Sequence, residues 1–294
     1  MWGNRKGIKP SADETDTGLN NTILRDRNMD AGYLSFLPRI IHIQQCTSGF
    51  DIAWRLYLKG LLPEWGSVLA ESQSAGRGQF GREWVSPVGN IYGALRLPVP
   101  SGKWKDMASL VLGYLLVTGL EREGITAVLK WPNDILVKGK KVGGILIEER
   151  AGAMIAGVGI NLMSCPSAEQ LRDQYAISAG ILNTPGYNFK PLPLWRRLVE
   201  HSRDLYCQIL LKETPENLIS RIESRMAFIG ATVRVDGGTS EPYEARVIGL
   251  SPEGGLKLIT DKGVRVIMSG SIYPSFLSGD LSWKKNHLKR SSVI

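Results

Sequence analysis

The 294-residue chain has few cysteines and few histidines, with three of each. The cysteines, Cys46, Cys165 and Cys207, lie far apart and form no Cys-x-x-Cys pair, and the histidines do not cluster. Structural zinc sites and disulfide frameworks both need such residues in close groups. The sequence therefore argues against both kinds of site and favours a cytoplasmic protein.

A membrane-spanning segment is also missing from the sequence pattern. The longest apolar stretch, Met107 to Leu120, is shorter than the roughly 20 residues that a span requires and contains Gly113 and Thr118. We interpret this stretch as part of a buried helix, predicted over Lys105 to Arg122. The chain opens on polar residues, so we expect neither a secretory signal nor a membrane partner.

The composition is that of a globular protein, with 43% hydrophobic and 22% charged residues and a net charge of +8. The positive charge is explained either by a solvated surface or by a face for phosphates or an acidic partner. Residues 281–294 carry part of the excess, and we interpret them as a basic tail.

The pattern divides the chain into four parts. Residues 1–38 are polar and predict a flexible extension; they lack the three amphipathic helices of a DNA-binding helix-turn-helix, so we expect no nucleic-acid binding. Residues 39–228 alternate strands and helices, and residues 229–280 read as short strands of a small β-barrel, with the boundary near Phe228. The predicted fold class is α+β, with a mixed sheet and helices before the barrel.

A glycine-rich loop lies within LAESQSAGRGQFGREW, from Leu69 to Trp84. Gly76, Gly78 and Gly81 permit positive φ and close approach to a ligand, while arginines between and after them supply positive charge. The loop lacks the P-loop pattern, and its Gly-x-Gly-x-x-Gly spacing does not open a helix as in a dinucleotide site. The composition predicts a loop that binds an anion.

A second stretch, LKWPNDILVKGKKVGGILIEE, runs from Leu129 to Glu149 and predicts a hairpin around Lys138 to Lys141. From the residues alone, each lysine of this turn is either solvated or part of a site. The same ambiguity applies to Thr47 and Ser48, which either cap a helix or contact a ligand.

Four motifs in order give the chain a family resemblance. They are Gly-Arg-Gly-x-x-Gly-Arg-x-Trp (76–84), Lys-Trp-Pro-Asn-Asp (130–134), Lys-x-x-Gly-Ile-Leu-x-Glu (141–148) and Gly-x-Gly-Ile-Asn (157–161). In these motifs the chain resembles the biotin protein ligases, of the monofunctional type without an N-terminal DNA-binding domain. The resemblance implies a core like that of class II aminoacyl-tRNA synthetases, followed by an SH3-like barrel.

The resemblance also implies an activity. Such enzymes use ATP and Mg²⁺ to convert biotin to biotinyl-5'-AMP and transfer it to a lysine of a biotin carboxyl carrier domain, in acetyl-CoA carboxylase or a related carboxylase. Lys141, Arg77 and Lys130 are the implied catalytic residues. Mg²⁺ is expected on the phosphates, with Asp134 as the candidate protein ligand, and a homodimer through the sheet edge is a further possibility.

The implied binding residues fall into two sets. Those for biotin are Thr47, Ser48, Gly49, Gln73, Gly76, Arg77, Gly78, Gln79, Lys141, Gly144, Gly157 and Gly159, in which the last three glycines form a smooth pocket wall. Those for ATP and the adenylate are Arg77, Arg82, Trp84, Lys130, Asn133, Asp134 and Asn161.

Three segments depart from the family pattern. Thr47-Ser48-Gly49 replaces the usual Ser-Thr-Asn, Gln79 replaces an arginine, and Ser271 stands where a Gly-Glu pair is common. We hypothesise that the missing charge at Gln79 lets the adenylate escape more readily.

Three other functions stay open at this point. A lipoate or octanoate ligase or transferase shares the fold, although the loop and the Lys-Trp-Pro-Asn-Asp motif argue against it. A biotin-sensing DNA-binding repressor would need the helix-turn-helix that residues 1–38 do not predict. A biotin-binding pseudoenzyme is suggested by Gly49 and Gln79.

Overall fold

The computed structural model describes residues 38–99, 103–167, 177–237 and 241–275. The predicted extension (1–38) lies outside these residues except for its last position, and the predicted basic tail (281–294) lies wholly outside. No helix in the described ranges is both long and apolar enough to cross a membrane.

The described residues form two sheets, five α-helices and one short 3₁₀ helix, Gln79–Gly81. The first sheet contains β1 (Ile40–Cys46), β2 (Ser67–Gln73), β3 (Ile91–Leu97), β4 (Ala127–Lys130), β5 (Asp134–Val137), β6 (Lys140–Arg150) and β7 (Ala153–Ile160). The second contains β8 (Thr232–Asp236), β9 (Tyr243–Leu250), β10 (Leu256–Thr260), β11 (Gly263–Ile267) and β12 (Ser271–Pro274). The helices are α1 (Gly49–Leu58), α2 (Lys103–Asp106), α3 (Ala108–Arg122), α4 (Pro191–Lys212) and α5 (Pro215–Glu223).

The strand order confirms the predicted α+β class. The first sheet runs β1-β2-β3-β7-β6-β5-β4, with β1 parallel to β2 and every other neighbour antiparallel. The second runs β11-β10-β9-β8-β12 and is antiparallel throughout. A mixed sheet with helices is thus followed by a small antiparallel sheet.

The helices cover the two faces of the first sheet. Helix α1 packs on one face, where the Phe50 ring lies against Gly157. On the other face α4 places the Trp195 ring against Gly93, and α3 is buried along most of its circumference. The sheet is therefore a buried middle layer, and the polar groups that carry chemistry lie on the α1 face or at the strand ends.

Two predictions about the elements were incomplete. The helix predicted over Lys105 to Arg122 is interrupted at Met107, which takes φ −91° and ψ 2° and packs its buried side chain against Gly254 of the second sheet. Strand β12 was not predicted, because its four residues give too short an alternation to recognise. The predicted hairpin after β5 is present, but its turn is Lys138 and Gly139 alone, both with positive φ, and β6 already begins at Lys140.

Direct contacts join the second sheet to the β4–β5 turn and to α5. The indole nitrogen of Trp131 donates to the carbonyl of Gly254 at 3.1 Å, and the backbone N–H of Leu250 donates to Glu223 at 2.7 Å. Helix α5 ends at Glu223 and β8 begins at Thr232. A domain boundary near Phe228 stays a prediction.

The Gly93→Ala substitution tests the packing of the sheet on α4. A methyl group at this position overlaps the Trp195 ring: Cζ2 would be its nearest neighbour, and Cη2 would lie 2.6 Å away. Overpacking of this kind costs about 1–3 kcal/mol of unfolding free energy. Urea denaturation measures this loss, and the same substitution in a Trp195→Phe background should cost less. Equal losses in both backgrounds would contradict the proposed clash.

Candidate active site

Three charged residues meet where β4, β5 and β6 lie side by side. Lys130 ends β4, Asp134 begins β5 directly opposite it, and Lys141 comes from β6. The Lys130 ammonium donates to Oδ2 of Asp134 at 2.8 Å, and the Lys141 ammonium forms an ion pair with Oδ1. We call these three residues the charge cluster. It unites three of the predicted site residues.

The cluster carries one net positive charge at the edge of the core. Lys130 and Asp134 are buried, whereas the Lys141 side chain is 35% exposed. Burial alone would raise the pKa of Asp134, but the two lysines outweigh it and lower this pKa from 3.8 to about 2. Asp134 is therefore ionised at neutral pH, and the excess charge resides on Lys141, the member that a ligand can reach.

A wall of glycines adjoins Lys141 on the α1 face of the sheet. Gly144 and Gly159 are direct partners in the β6–β7 ladder, and the Trp84 indole lies against both. The Lys141 ammonium lies 5.6 Å from the centre of the Trp84 ring. A methyl group on Gly159 would overlap this indole, so the sequence needs glycine there. That these glycines form the wall of a biotin pocket stays a prediction.

Gly157 extends this wall toward α1. It lies two residues before Gly159 on the same face and is covered by the Phe50 ring. Apolar contacts therefore line the wall on both sides, and they place the charge cluster at one end of an apolar surface.

At the other end lies Ser48, a buried hydroxyl that has no hydrogen-bond partner among the described residues. Ser48 occupies the N-cap position of α1, but its side chain does not cap the helix; its carbonyl instead accepts from Asp51 at 3.2 Å. The predicted capping position is thus correct while the capping interaction is absent. A buried hydroxyl without a partner costs free energy, which a ligand could recover.

Gln73 is held beside Ser48 by two hydrogen bonds. Its carbonyl oxygen accepts from the Gly49 N–H at 2.8 Å, and its amide donates to the Ser86 hydroxyl at 3.0 Å. Thr47, which the sequence also predicted as a ligand contact, has an exposed side chain. Ser86 was not predicted, because its role arises from a cross-loop contact.

The glycine-rich loop folds back on itself. Gly78 N–H donates to the Arg82 carbonyl at 2.7 Å, and Trp84 N–H donates to the Gly76 carbonyl at 2.9 Å. Gly76 is obligatory here, because a Cβ would strike the Trp84 carbonyl. The loop thereby fixes the indole of Trp84 on the glycine wall.

The two arginines of the loop have different surroundings. Arg77 donates to Asp51 at 2.9 Å, lies 3.6 Å from Glu148, and stacks 5.2 Å from the centre of the Phe50 ring. Arg82 is exposed and lies 5.8 Å from the centre of the Phe80 ring. The structure brings Arg77 to the wall and leaves Arg82 at the surface. Phe50 and Asp51 were missed, since their proximity depends on the packing of α1.

The two asparagines predicted to contact the nucleotide have backbone partners. Asn133 donates to the Ile145 carbonyl at 2.6 Å, and Asn161 donates to the Gly180 carbonyl at 3.2 Å. Lys141 itself is fixed by the segment around Gly180, whose N–H donates to the Lys141 carbonyl at 2.9 Å. Both asparagine side chains therefore hold the strands of the site in place.

The described residues do not form a magnesium site of their own. No group of three or more His, Cys, Asp or Glu side chains comes together in them. Asp134, the candidate ligand, has both oxygens in ion pairs with lysines. A single carboxylate already neutralised by two ammonium groups does not fit the oxygen-rich shell of Mg²⁺.

Asp134→Asn tests the charge cluster. The variant leaves two lysines without a counter-ion, and breaking a buried ion pair costs about 3–5 kcal/mol of unfolding free energy. Because folding lowers the Asp134 pKa from 3.8 to about 2, this stabilisation is present above pH 4 and is lost as the pH falls toward 2. Its loss is worth about 2 kcal/mol at 1.36 kcal/mol per pKa unit.

Urea denaturation at pH 7 and at stepwise lower pH measures both effects. The exposed carboxylate of Asp204 on α4 gives the control Asp204→Asn, which should match the parent. A stability loss for Asp134→Asn no greater than that of this control would contradict the assignment.

Comparison with known proteins agrees with this geometry. Residues 45–163 match the model of the biotin/lipoate A/B protein ligase family. The bifunctional ligase/repressor BirA of Bacillus subtilis is 31% identical over 224 residues, which cover 71% of this chain and 66% of that protein. The biotin–[acetyl-CoA-carboxylase] ligase of Paracoccus denitrificans is 39% identical over 113 residues, covering 34% of this chain and 46% of that one.

A solved structure extends the match beyond the first sheet. The biotin protein ligase of Aquifex aeolicus, in complex with biotin and ATP, aligns with a TM-score of 0.67 and 27% identity, covering 81% of this chain and 99% of that one. The sequence matches span about two thirds or less of the first curated relatives, but the structural match includes nearly all of the Aquifex chain. Taken with the motifs and the site, these likenesses mean that the chain belongs to the biotin protein ligase family.

Proposed function

We propose that this chain activates biotin with ATP and transfers it to a lysine of a biotin carboxyl carrier domain. The observation that carries the proposal is the apolar wall with two unlike polar ends. The accessible ammonium of Lys141 lies at one end and the unpartnered hydroxyl of Ser48 at the other. A carboxylic acid with an apolar body and a distant polar ring matches this arrangement.

The first step brings two anions together. A carboxylate oxygen of biotin attacks the α-phosphorus of ATP, an O–P bond forms, the bond to the bridging oxygen breaks, and pyrophosphate leaves with the electron pair. Lys141 supplies positive charge at one end of the wall, where the buried Lys130–Asp134 pair fixes it, and Arg77 supplies a second positive charge beside the Phe50 ring. Catalysis rests on positioning and on preorganised charge.

The second step forms an amide. A neutral lysine amine attacks the acyl carbon of biotinyl-5'-AMP, the N–C bond forms, the C–O bond breaks, and AMP leaves as an anion while the nitrogen loses a proton. This step needs no acylated residue of the enzyme. Mg²⁺ reaches the reaction on the phosphates of ATP, because Asp134 is already paired with two lysines.

Purified protein incubated with biotin, ATP, Mg²⁺ and a carrier domain tests the function directly. Mass spectrometry of the carrier detects biotinyl transfer, and an assay of free biotinyl-5'-AMP detects the activation step, with lipoate and octanoate run in parallel. Of the three acids, we expect only biotin to produce a mass shift. The Ser48 hydroxyl can form a hydrogen bond with the polar ring of biotin but not with a hydrocarbon tail. Binding of biotin without transfer would favour a sensor or a pseudoenzyme.

Ser48→Ala should weaken biotin binding about tenfold, the worth of one hydrogen bond to a polar ligand, without lowering stability. The hydroxyl has no partner in the free protein, so its removal costs the fold nothing. Isothermal titration and urea denaturation measure the two quantities.

Ser67→Ala is the matched control for Ser48→Ala. The Ser67 hydroxyl is buried and accepts a 3.0 Å hydrogen bond from Trp195 on the α4 side of the sheet. This control should lose stability and keep its biotin affinity. Unchanged biotin affinity in Ser48→Ala would argue against the proposed pocket.

Gln79→Arg tests our hypothesis that the adenylate escapes readily. An added guanidinium in the loop can bind the adenylate phosphate, and a charged hydrogen bond of about 1.5 kcal/mol slows release about tenfold. Free biotinyl-5'-AMP is measured in the absence of carrier. Ser74→Arg, which adds the same charge at an exposed position, is the control; equal release from the Gln79→Arg enzyme and its parent refutes the hypothesis.

Cellular context and assembly complete the proposal. All three cysteines are free, which suits the reducing cytosol that we propose as the site of action. Strand β1 is an unpaired edge of the first sheet among the described residues and would serve a homodimer. That the chain does not bind nucleic acid also stays a prediction.

A further inference from the structure

The turn between β4 and β5 joins two members of the charge cluster. Only Trp131, Pro132 and Asn133 separate Lys130, the last residue of β4, from Asp134, the first residue of β5. Because the two charged residues flank so short a turn, whatever holds the turn in place also keeps them opposite each other. The contacts of the turn therefore bear on the site.

Each residue of the turn has a contact outside it. The Trp131 indole N–H donates to the Gly254 carbonyl of the second sheet at 3.1 Å, and this bond is buried. The Pro132 carbonyl accepts from the Ser109 hydroxyl of α3 at 3.4 Å in a part-buried position. Asn133 is bound to β6, as described above. Of the two contacts outside the first sheet, the shorter and more buried one belongs to Trp131.

The acceptor of the indole bond is part of a tight turn between β9 and β10. The Gly254 N–H donates to the Ser251 carbonyl at 2.9 Å, and the Gly255 N–H donates to the Ser251 hydroxyl at 3.1 Å. Gly254 has a φ of +80°, and a Cβ on it would lie 3.0 Å from Cγ of Met107 and 3.1 Å from Cδ1 of Leu110. The carbonyl is thus fixed by its own turn and by packing against the start of α3.

Strand β4 depends on such external contacts because it is short and lies at one end of the first sheet's strand order. On the side away from β5, the Leu129 N–H donates to the Arg225 carbonyl at 2.8 Å, and the Ala227 N–H donates to the Leu129 carbonyl at 2.9 Å. These two partners lie between α5 and β8, on the way to the second sheet. Trp131 adds a further restraint, next to Lys130.

Trp131 offers no atom to a ligand. Its side chain is 1% exposed, and its N–H is used by Gly254. Its effect on the site passes through the backbone to Lys130 and Asp134. In the charge cluster two ammonium groups share one carboxylate and repel each other, so both ion pairs need a backbone that is held in place.

We propose that Trp131 is a positioning residue for the activation of biotin, through which the second sheet holds Lys130 opposite Asp134. The inference rests on the proposed function and adds a residue to its first step. Without the indole bond the turn can shift, and Lys141 loses its fixed counter-ion. The glycine wall and Ser48, which lie on the α1 face, still bind biotin.

Trp131→Phe tests this role, because it removes the N–H and keeps an aromatic ring. Biotin-dependent exchange of pyrophosphate into ATP reports the first step. We expect its kcat to fall about tenfold and the KM for biotin to stay within about twofold, since a displaced charge weakens the transition state more than the ground state.

Trp195→Phe is the matched control. It removes another buried indole N–H, which donates to the Ser67 hydroxyl at 3.0 Å on the α4 side of the sheet. Urea denaturation should show a similar loss of stability in the two variants, whereas the control should keep the kcat and KM of the parent.

Gly254→Ala moves the acceptor and leaves Trp131 intact. Its Cβ would press on Met107 and Leu110, so we expect the same fall in kcat without a change in the KM for biotin. Gly230→Ala is its control, because Gly230 has the same φ of +80° but a Cβ there would meet no atom within 4 Å. This second pair decides the question if Trp131→Phe does not fold.

Three results would overturn the proposal. They are a fall in kcat for Trp131→Phe no larger than that for Trp195→Phe, a loss of activity that lies wholly in the KM for biotin, and a Gly254→Ala enzyme as active as Gly230→Ala. Absence of pyrophosphate exchange in the parent would refute the proposed function itself.

Discussion

The pairing of Lys130 and Lys141 with Asp134 is the constraint on which the site depends. A buried charge is tolerated only when it is paired, so the strands that carry these residues must meet in one register. That register also sets Gly144 opposite Asp134, and the separate β6–β7 ladder pairs Gly144 with Gly159 of the glycine wall. The same three residues therefore stabilise the fold and supply the charge of the site. Because two lysines meet one carboxylate, one positive charge remains, and it lies on the accessible Lys141.

Sequence patterns predicted those parts of the site that depend only on neighbouring residues, such as turns, or on the two-residue alternation of a strand. The hairpin turn at Lys138 and Gly139 follows from backbone geometry, and the shared face of Gly157 and Gly159 follows from strand alternation. The family resemblance added the order of the motifs, and the comparisons confirm both the family and the fold class. These features need no knowledge of distant contacts.

The remaining features depend on packing between distant segments. The break at Met107 exists because a residue of the second sheet, Gly254, packs against it, and no local signal marks it. The sequence predicted Ser48 as a helix cap. The structure shows that its carbonyl accepts a hydrogen bond from the helix, whereas its hydroxyl has no partner. A single sequence records residue types but not which of their atoms have partners.

Arg77 carries a consequence for ligand binding. In the free protein this guanidinium already contacts Asp51 and Glu148, which come from α1 and β6. An incoming phosphate must therefore exchange with carboxylates rather than meet a bare cation, and only a ligand that makes further contacts gains from the exchange. Arg77 thus acts as an ion-exchange position, at which simple anions such as inorganic phosphate compete poorly for the site.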